Sequence, residues 1–279
     1  MQRQASIGNA GFAEHLAAGQ QAALDNELMV FTAQDMCRIS MSDSRSMSHM
    51  SAYAAFPFFL CCMYMRLLDL FAGTHSVGTV ARALGFEVVS LDLADATICC
   101  DVRDWDYASA YPVGHFDVIW ASPPCTWFSH ARYKNVGRFG ITRESIESDI
   151  HTDGLPLLRK TQEIIDYFQP KHYFIENPDS GQMKRFLADI PFYRVDYCMY
   201  GFQCRKRTRI WTNLEGFEDR LCNKECGSFQ NGRHVINAVG GHGPGRKGQG
   251  SGSDKRDRYK IPASLIHELL SLAILNAAV

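Results

Sequence analysis

From Met65 onwards, short strand-like runs of apolar residues alternate with stretches of helical periodicity, and this alternation most limits the possible folds. It is typical of βαβ units, in which helices join parallel strands and cover the sheet. We therefore predict an α/β fold, Rossmann-like, with a mostly parallel, doubly wound sheet. The predicted strands are Arg66–Phe71, Glu87–Leu91, Phe116–Ala121, His172–Glu176, Arg194–Cys198 and Thr208–Thr212.

The sequence also predicts two helices and one loop. An apolar stripe predicts a helix over Leu155–Phe168, ended by Pro170, and a second helix is predicted over Ala263–Leu275. Seven of the thirteen residues from Gly240 to Gly252 are glycine, which predicts a flexible loop.

The first 64 residues lack this periodicity and carry Ser/Met clusters such as Ser40–Ser51. We leave them outside the predicted core. Three interpretations stay open: a disordered arm, a partner-binding tail, or translated sequence upstream of a true start at Met65.

Composition excludes several classes of protein. The chain is 46% hydrophobic and 21% charged, unlike a disordered protein. Its ten cysteines lack the spacing of a secreted disulfide framework, so an intracellular, cytoplasmic setting is expected. The longest apolar run, Ala52–Met65, is shorter than the roughly 20 residues that cross a bilayer, so no membrane association is expected.

The charge balance argues against nucleic-acid binding by bulk charge, because 29 Lys and Arg face 30 Asp and Glu. Any such binding must come from local patches. Two exist: the run Arg205–Arg209, and the stretch from Arg233 to Lys260, with seven basic residues against two Asp.

A glycine turn joins the first strand to a helical pattern at Ala72–Gly78. Such a turn lets a ligand approach the backbone, and an acidic residue about 20 positions later can bind ribose hydroxyls, as Asp92 can here. Asp101 is placed to accept a hydrogen bond from an adenine amino group. The glycine spacing also fits a phosphate loop, but Thr79 stands where such a loop needs lysine, and a plain structural turn stays possible.

Two further segments follow predicted strands. In Ser122-Pro123-Pro124-Cys125, the prolines make a rigid turn that a merely packing cysteine does not require. Glu176 ends another strand, where an isolated carboxylate is usually solvated surface. Because carboxyl ends of strands face the ligand crevice, we expect both side chains to point towards one site.

The order of four segments resembles the DNA cytosine-5 methyltransferases, particularly their compact phage and viral members. The resemblance covers about three quarters of the chain, and its segments are Asp69–Gly73, Pro123–Ser129, Glu176–Asn177 and Arg205–Arg209. It implies the fold of S-adenosylmethionine-dependent methyltransferases and methylation of cytosine C5 in double-stranded DNA.

The resemblance also implies how the cofactor is held. Phe71 would stack on the adenine of S-adenosylmethionine, Asp92 would hold the ribose, and Asp101 would hold the adenine. The full set of residues predicted to bind the cofactor is Asp69, Phe71, Ala72, Gly73, Asp92, Asp101 and Pro123.

The same resemblance implies catalytic roles for four residues. Cys125 would attack C6 of a cytosine flipped out of the duplex, and Glu176 would contact N3. Arg207 and Arg209 would hold the base and backbone when the basic run is aligned on Ile210-Trp211, although alignment on Gln203 is also possible.

DNA contacts are expected from the loop after the nucleophile and from the basic patches. The stretch from His130 to Arg143 is either a mobile loop that closes over phosphates or a simple surface loop. The residues predicted to bind DNA are Ser129, Arg132, Lys134, Arg205, Arg246 and Lys247.

A zinc site is a weaker possibility. Cys222, Cys226 and His234 could bind zinc with a fourth ligand such as Cys204 or His242, but their spacing falls short of a clear zinc pattern.

The predicted organisation is an extension over 1–64, a catalytic and cofactor-binding domain over 65–211, a target-recognition region over 212–258, and a C-terminal helix over 259–279 that packs back on the catalytic domain. We expect a monomer. Alternative functions are methylation of RNA cytosine, methylation of an exocyclic amine, which needs no cysteine, and nucleic-acid binding by an inactive relative.

Overall fold

A seven-stranded sheet forms the centre of the protein. The structure, a computed structural model, describes residues 65–234 and 260–277. The strands are β1 (Arg66–Leu70), β2 (Glu87–Asp92), β3 (Ile98–Cys99), β4 (Val118–Ala121), β5 (His172–Pro178), β6 (Phe192–Asp196) and β7 (Arg207–Thr212). Their order is β3-β2-β1-β4-β5-β7-β6, and only β7 runs antiparallel to its neighbours. The predicted mostly parallel α/β sheet is therefore confirmed, and each predicted strand is present with its ends shifted by no more than two residues.

Helices and short turns connect the strands. The helices are α1 (Ser76–Ala83), α2 (Tyr107–Ala110), α3 (Arg143–Asp149), α4 (Leu155–Phe168) and α5 (Ala263–Ala277), with a π-helical turn, Ile150–Gly154, between α3 and α4. Three 3-10 turns are His130–Asn135, Met183–Arg185 and Tyr197–Tyr200, and a small hairpin pairs β8 (Phe229–Gln230) with β9 (Arg233–His234).

The predicted helix over Leu155–Phe168 has these bounds in the structure. Pro156 occupies its first turn, where the missing N–H costs no helical hydrogen bond. Gln169 then adopts a left-handed conformation (φ 47°), and Pro170 follows, so the helix cannot continue.

The sheet is covered on both faces, as its strand sequences require. Side chains alternate between the faces, so Leu67 and Leu68 belong to different clusters of buried residues. Leu68 packs with α4, whereas Leu67 packs with α1 and α5. A strand buried on both faces reads as a continuous apolar run, which explains the sequence of β1 and β4.

The strand order reverses between β1 and β4, which are direct neighbours. At such a switch point the connections leave the sheet towards opposite faces and open a crevice beyond the carboxyl ends of the strands. The segments after β1, β2, β4 and β5 therefore meet at the carboxyl end of the parallel strands.

Residues 1–64 and the predicted glycine-rich loop Gly240–Gly252 lie outside the described residues. Within 65–234 and 260–277, no helix combines the length and the apolar character needed to cross a membrane.

Candidate active site

A cavity of about 440 Å³ opens at the switch point. This volume is within the range of small-molecule and cofactor sites, about 300–1,000 Å³. All seven residues predicted to bind the cofactor line the cavity, and so do Cys125 and Glu176. The structure thus brings together residues that are as far apart in sequence as Asp69 and Glu176.

The turn after β1 shapes one side of the cavity. Phe71 (φ 61°) and Gly73 (φ 49°) both have left-handed backbone conformations, which is costly for phenylalanine and easy for glycine. The turn is held by Asp69, which is 2% exposed and accepts a hydrogen bond from the Gly78 N–H at 3.2 Å. Burial raises the pKa of Asp69 to about 7, against the lowering effect of this hydrogen bond and of Arg82.

The carboxylates of Asp92 and Asp101 also line the cavity. The oxygens of Asp92 accept hydrogen bonds from the N–H groups of Gly73 (2.8 Å) and Leu93 (2.7 Å), and each oxygen retains a lone pair for a further donor. Asp101 pairs with Arg103, whose Nη2 lies 2.5 Å from Oδ2. The side-chain hydrogen bond from Arg103 is the main cause that lowers the pKa of Asp101, so this carboxylate is charged.

The turn that carries Cys125 is fixed from both sides. The Phe128 N–H donates to the Cys125 carbonyl at 3.2 Å, and the Phe128 side chain is 1% exposed in the core. The side-chain amide of Asn177 donates to the Pro123 carbonyl at 2.8 Å. This hydrogen bond ties the end of β5 to the turn after β4, so Glu176 and Cys125 are held relative to one another.

The thiol of Cys125 is half-buried, and burial raises its pKa. Glu176 raises this pKa further, whereas the positive charge of Lys206 lowers it. The resting group is therefore a thiol, and Lys206 favours its ionisation.

Glu176 is 6% exposed, and its carboxyl group has two side-chain partners. Its Oε1 accepts a hydrogen bond from the Tyr197 hydroxyl at 2.8 Å and lies 3.2 Å from the Lys206 Nζ. Burial, followed by the charge of Glu176, raises the pKa of Tyr197 well above its usual value. The phenol therefore stays protonated and acts as a donor.

Lys206 and Tyr197 were not among the residues predicted from sequence. Lys206 immediately precedes β7, and because β7 runs antiparallel to β5, the start of β7 lies beside the end of β5 that carries Glu176. Side chains of adjacent residues point to opposite faces, so Lys206 and Arg207 diverge. The alternation of side chains between two faces could have indicated that Lys206 and Arg207 point apart. It does not indicate the direction of β7, which brings Lys206 to Glu176.

Arg207 and Arg209 do not line the cavity. Arg207 is bonded to the buried Asp196, with Nη2 2.8 Å from Oδ2. Arg209 is bonded to Asp179, with Nε 2.8 Å from Oδ1, and its guanidinium lies 3.8 Å from the ring centroid of Phe192. Both arginines brace the antiparallel edge of the sheet.

The predicted DNA-binding residues that the structure describes lie in two segments, the 3-10 turn after β4 and the residues just before β7. Ser129 caps the 3-10 turn by accepting from the Ala131 N–H at 3.3 Å, and Arg132 in that turn is ion-paired with Asp149. Lys134 and Arg205 are exposed. Arg246 and Lys247 lie outside the described residues.

The residues considered for zinc also converge. Cys222, Cys226 and His234 form a cluster whose fourth member is Cys198, not Cys204. His242 lies outside the described residues.

Comparison with known proteins identifies a relative. The chain matches no protein-family model. It is 46% identical over 218 residues to a Frog virus 3 protein named "Probable DNA (cytosine-5)-methyltransferase", and the match covers 75% of this chain and 100% of that protein.

Among solved structures, the Entamoeba histolytica methyltransferase EhMeth is 14% identical with a TM-score of 0.39, covering 57% of this chain and 55% of that one. A DNMT2 variant from Spodoptera frugiperda is 15% identical with a TM-score of 0.37, covering 56% and 53%. The matches thus span about half of each of these solved chains, and so weak a likeness bears on no residue of the site. The Frog virus 3 protein, matched along its whole length, shows that this chain belongs to the DNA (cytosine-5)-methyltransferase family.

Proposed function

We propose that this enzyme transfers a methyl group from S-adenosylmethionine to C5 of cytosine in double-stranded DNA, through a covalent bond between Cys125 Sγ and cytosine C6. The convergence of Cys125 and Glu176 in the cavity that also holds the acidic residues of β1 and β2 carries this proposal. The cavity has a cofactor half and a base half, and each half supports one part of the reaction.

The cofactor half, defined as Asp69, Phe71, Gly73, Asp92 and Asp101, fits S-adenosylmethionine. Its carboxylates match the hydroxyl and amino groups of an adenosine, and a glycine permits close approach of the backbone. No atom outside the turn lies within 4 Å of a Cβ added at Gly73, so that side of the turn is open. The cofactor supplies an electrophilic methyl group.

The base half, defined as Cys125, Glu176, Tyr197 and Lys206, would activate the cytosine. The Cys125 thiolate attacks C6, and the carboxyl group of Glu176, in its acid form, donates a proton to N3 and so neutralises the negative charge that develops there. C5 then becomes nucleophilic enough to accept the methyl group. A base then removes the C5 proton, the electrons of that C–H bond restore the C5=C6 double bond, and Sγ leaves C6 as a thiolate, which releases the enzyme.

Lys206 and Tyr197 have distinct roles in this scheme. Tyr197 orients the carboxyl group of Glu176 through the 2.8 Å hydrogen bond. Lys206 lies 3.2 Å from the same oxygen, and its charge favours the thiolate of Cys125. A single ammonium group thus acts on both the nucleophile and the carboxyl group.

A cytosine stacked in a duplex cannot enter this cavity, so the target base must flip out, at a cost of a few kcal/mol. Exposed basic side chains would hold the phosphates, among them Lys134 and also Arg205, whose Nε lies 3.4 Å from Oδ2 of Asp196. If Arg207 and Arg209 contact the base and the backbone directly, as proposed from sequence, their ion pairs with Asp196 and Asp179 must open. If the ion pairs stay closed, the two arginines act by positioning other groups.

The reaction is tested by incubating the full chain with methyl-labelled S-adenosylmethionine and either unmethylated duplex DNA or a structured RNA, followed by nucleoside analysis. We expect label in 5-methyldeoxycytidine with the wild type and none with Cys125→Ala. Cys99→Ala is the matched control, because Cys99 is exposed on β3 and does not line the cavity. Label in RNA or on an amino group, or label that persists in Cys125→Ala, would contradict the proposal.

We also propose that the enzyme acts as a monomer in a reducing, intracellular compartment. All seven cysteines in the described ranges are free thiols, and a thiol nucleophile requires a setting that keeps it reduced. Sedimentation of the purified chain tests the oligomeric state. Fractionation of cells that express the chain tests the compartment.

A further inference from the structure

A cluster of three thiols and one imidazole lies beyond the antiparallel edge of the sheet. Cys198 belongs to the 3-10 turn after β6, Cys222 and Cys226 to the loop after β7, and His234 to β9. One potential ligand atom from each of these residues lies within 4.8 Å of the other three. The four residues come from three separate segments, so chain proximity alone does not explain their convergence.

The spacing of these atoms is that of a tetrahedral zinc site. With Zn–S bonds of about 2.3 Å and Zn–N bonds of about 2.0 Å, the edges of the tetrahedron are about 3.5–3.8 Å. The Nε2 atom of His234 lies 3.4 Å from Sγ of Cys222 and 3.4 Å from Sγ of Cys226. A disulfide between two of the thiols would leave the third thiol and the imidazole without a role.

The surroundings orient the ligands as outer-shell groups do in metal sites. The Lys224 N–H donates to Sγ of Cys222 at 3.3 Å, which favours a thiolate there. The Cys222 N–H donates to the buried Asp196 at 2.9 Å, and the ring of Phe229 contacts the imidazole of His234 edge-on at 5.3 Å between centroids. Soft sulfur ligands with one imidazole select zinc among common divalent ions.

The segment that carries three of these ligands has no core of its own. None of residues 218–234 is buried. A segment of this length without buried apolar side chains cannot offset the entropy of its ordering by hydrophobic burial. Metal coordination supplies that free energy in small zinc domains, where binding and folding are coupled.

We propose that Cys198, Cys222, Cys226 and His234 bind one structural zinc ion, which fastens the segment after β7 to the end of β6. All four positions of the tetrahedron are filled by protein, so the ion has no open position for catalysis. It would also fix the turn that carries Tyr197, the residue next to Cys198 and the partner of Glu176. The zinc site does not depend on the proposed reaction.

Metal content is the direct test. The full chain is purified under reducing conditions from zinc-supplemented cells, dialysed against a weak chelator, and analysed by inductively coupled plasma mass spectrometry. We expect one zinc per chain in the wild type and loss of nearly all of it in Cys226→Ser and His234→Ala. Cys198 is buried, and its replacement also disturbs the core, so the half-buried Cys226 is the deciding position.

Cys204→Ser is the matched control. Its thiol is also half-buried and lies near the same edge, but it is not a member of the cluster. The control should retain one zinc per chain. A wild type without zinc, or equal loss of zinc in Cys204→Ser and Cys226→Ser, would overturn the proposed site.

Two further measurements separate binding from structural effect. Cobalt(II) bound in place of zinc should give the intense visible bands of tetrahedral coordination, weakened in Cys226→Ser. Removal of zinc by a strong chelator should expose residues 218–234 to proteolysis while the sheet stays resistant. Octahedral cobalt spectra would exclude the tetrahedral site, and unchanged proteolysis after zinc removal would exclude the fastening role.

Discussion

The two halves of the cavity are held together by different kinds of contact. In the cofactor half, backbone N–H groups bind carboxylates, as Gly78 binds Asp69 and Gly73 binds Asp92. In the base half, side chains bind one another, as Tyr197 and Lys206 do at Glu176. Backbone hydrogen bonds thus form the cofactor half, whereas side-chain hydrogen bonds and an ion pair form the base half, into which the target cytosine must fit. Substitutions in the two halves should therefore alter binding and chemistry separately.

The largest effect is expected from Cys125→Ala, which removes the nucleophile. We expect methyl transfer to fall on the order of 10⁴-fold or more, as when other covalent catalysts lose their nucleophile. The affinity for S-adenosylmethionine, measured by calorimetry, should stay unchanged, because Cys125 belongs to the base half. A parallel loss of cofactor affinity would show that the halves are not independent.

Glu176→Gln should have the next largest effect. The amide keeps the shape of the carboxyl group and an oxygen that can accept from Tyr197, but it cannot give a proton to N3, where negative charge develops. We expect kcat to fall about 10²- to 10³-fold, which is typical when one transition-state contact is removed. Steady-state kinetics at varied cofactor concentration measure kcat and KM separately, and a change confined to the KM for S-adenosylmethionine would place Glu176 in the other half.

Asp92→Ala should affect binding and leave chemistry intact. Loss of a hydrogen bond that a ribose hydroxyl donates to this carboxylate should weaken cofactor binding about 10- to 100-fold. The control is Asp95→Ala in the following loop, because the Asp95 side chain is 97% exposed and does not line the cavity. If Asp92→Ala lowers kcat at saturating cofactor, the separation between the halves fails.

The same contrast explains how far the sequence could predict the site. The determinants of the cofactor half lie within one stretch, from Asp69 to Asp101, where strand, turn and acidic residue follow one another in readable order. The mostly parallel sheet likewise follows from the alternation of strands with helices. Cys125 was recognisable because two prolines precede it after a strand.

The base half is assembled from segments that are distant in sequence, and its remaining members were not predictable. Lys206 reaches Glu176 only because β7 is antiparallel, a direction that apolar alternation does not encode. Tyr197 and Cys198 read as ordinary end-of-strand residues, since nothing local indicates that a carboxyl group meets one and a metal-binding cluster the other. Helix α3 was missed because its seven residues, Arg143–Asp149, contain a single buried apolar side chain, Ile146.

The smallest predicted effect concerns Lys206. The direction in which the reactivity of Cys125 changes distinguishes the influence of Lys206 from that of Glu176. Burial and Glu176 raise the pKa of the Cys125 thiol, whereas Lys206 lowers it. In Lys206→Met the thiol pKa should rise further, so at any pH below that pKa the thiolate fraction falls. Alkylation of Cys125 by iodoacetamide, followed by peptide mass spectrometry, should slow roughly three- to tenfold.

Two further variants, one that keeps the charge of Lys206 and one that removes the charge of Glu176, complete this experiment. Lys206→Arg keeps the positive charge and should leave the alkylation rate near that of the wild type. Glu176→Gln removes the negative charge that raises the same pKa, so alkylation should become faster at equal pH. If Lys206→Met and Glu176→Gln shift the rate in the same direction, access to the thiol and not its ionisation controls the reaction, and the proposed electrostatic role of Lys206 is excluded.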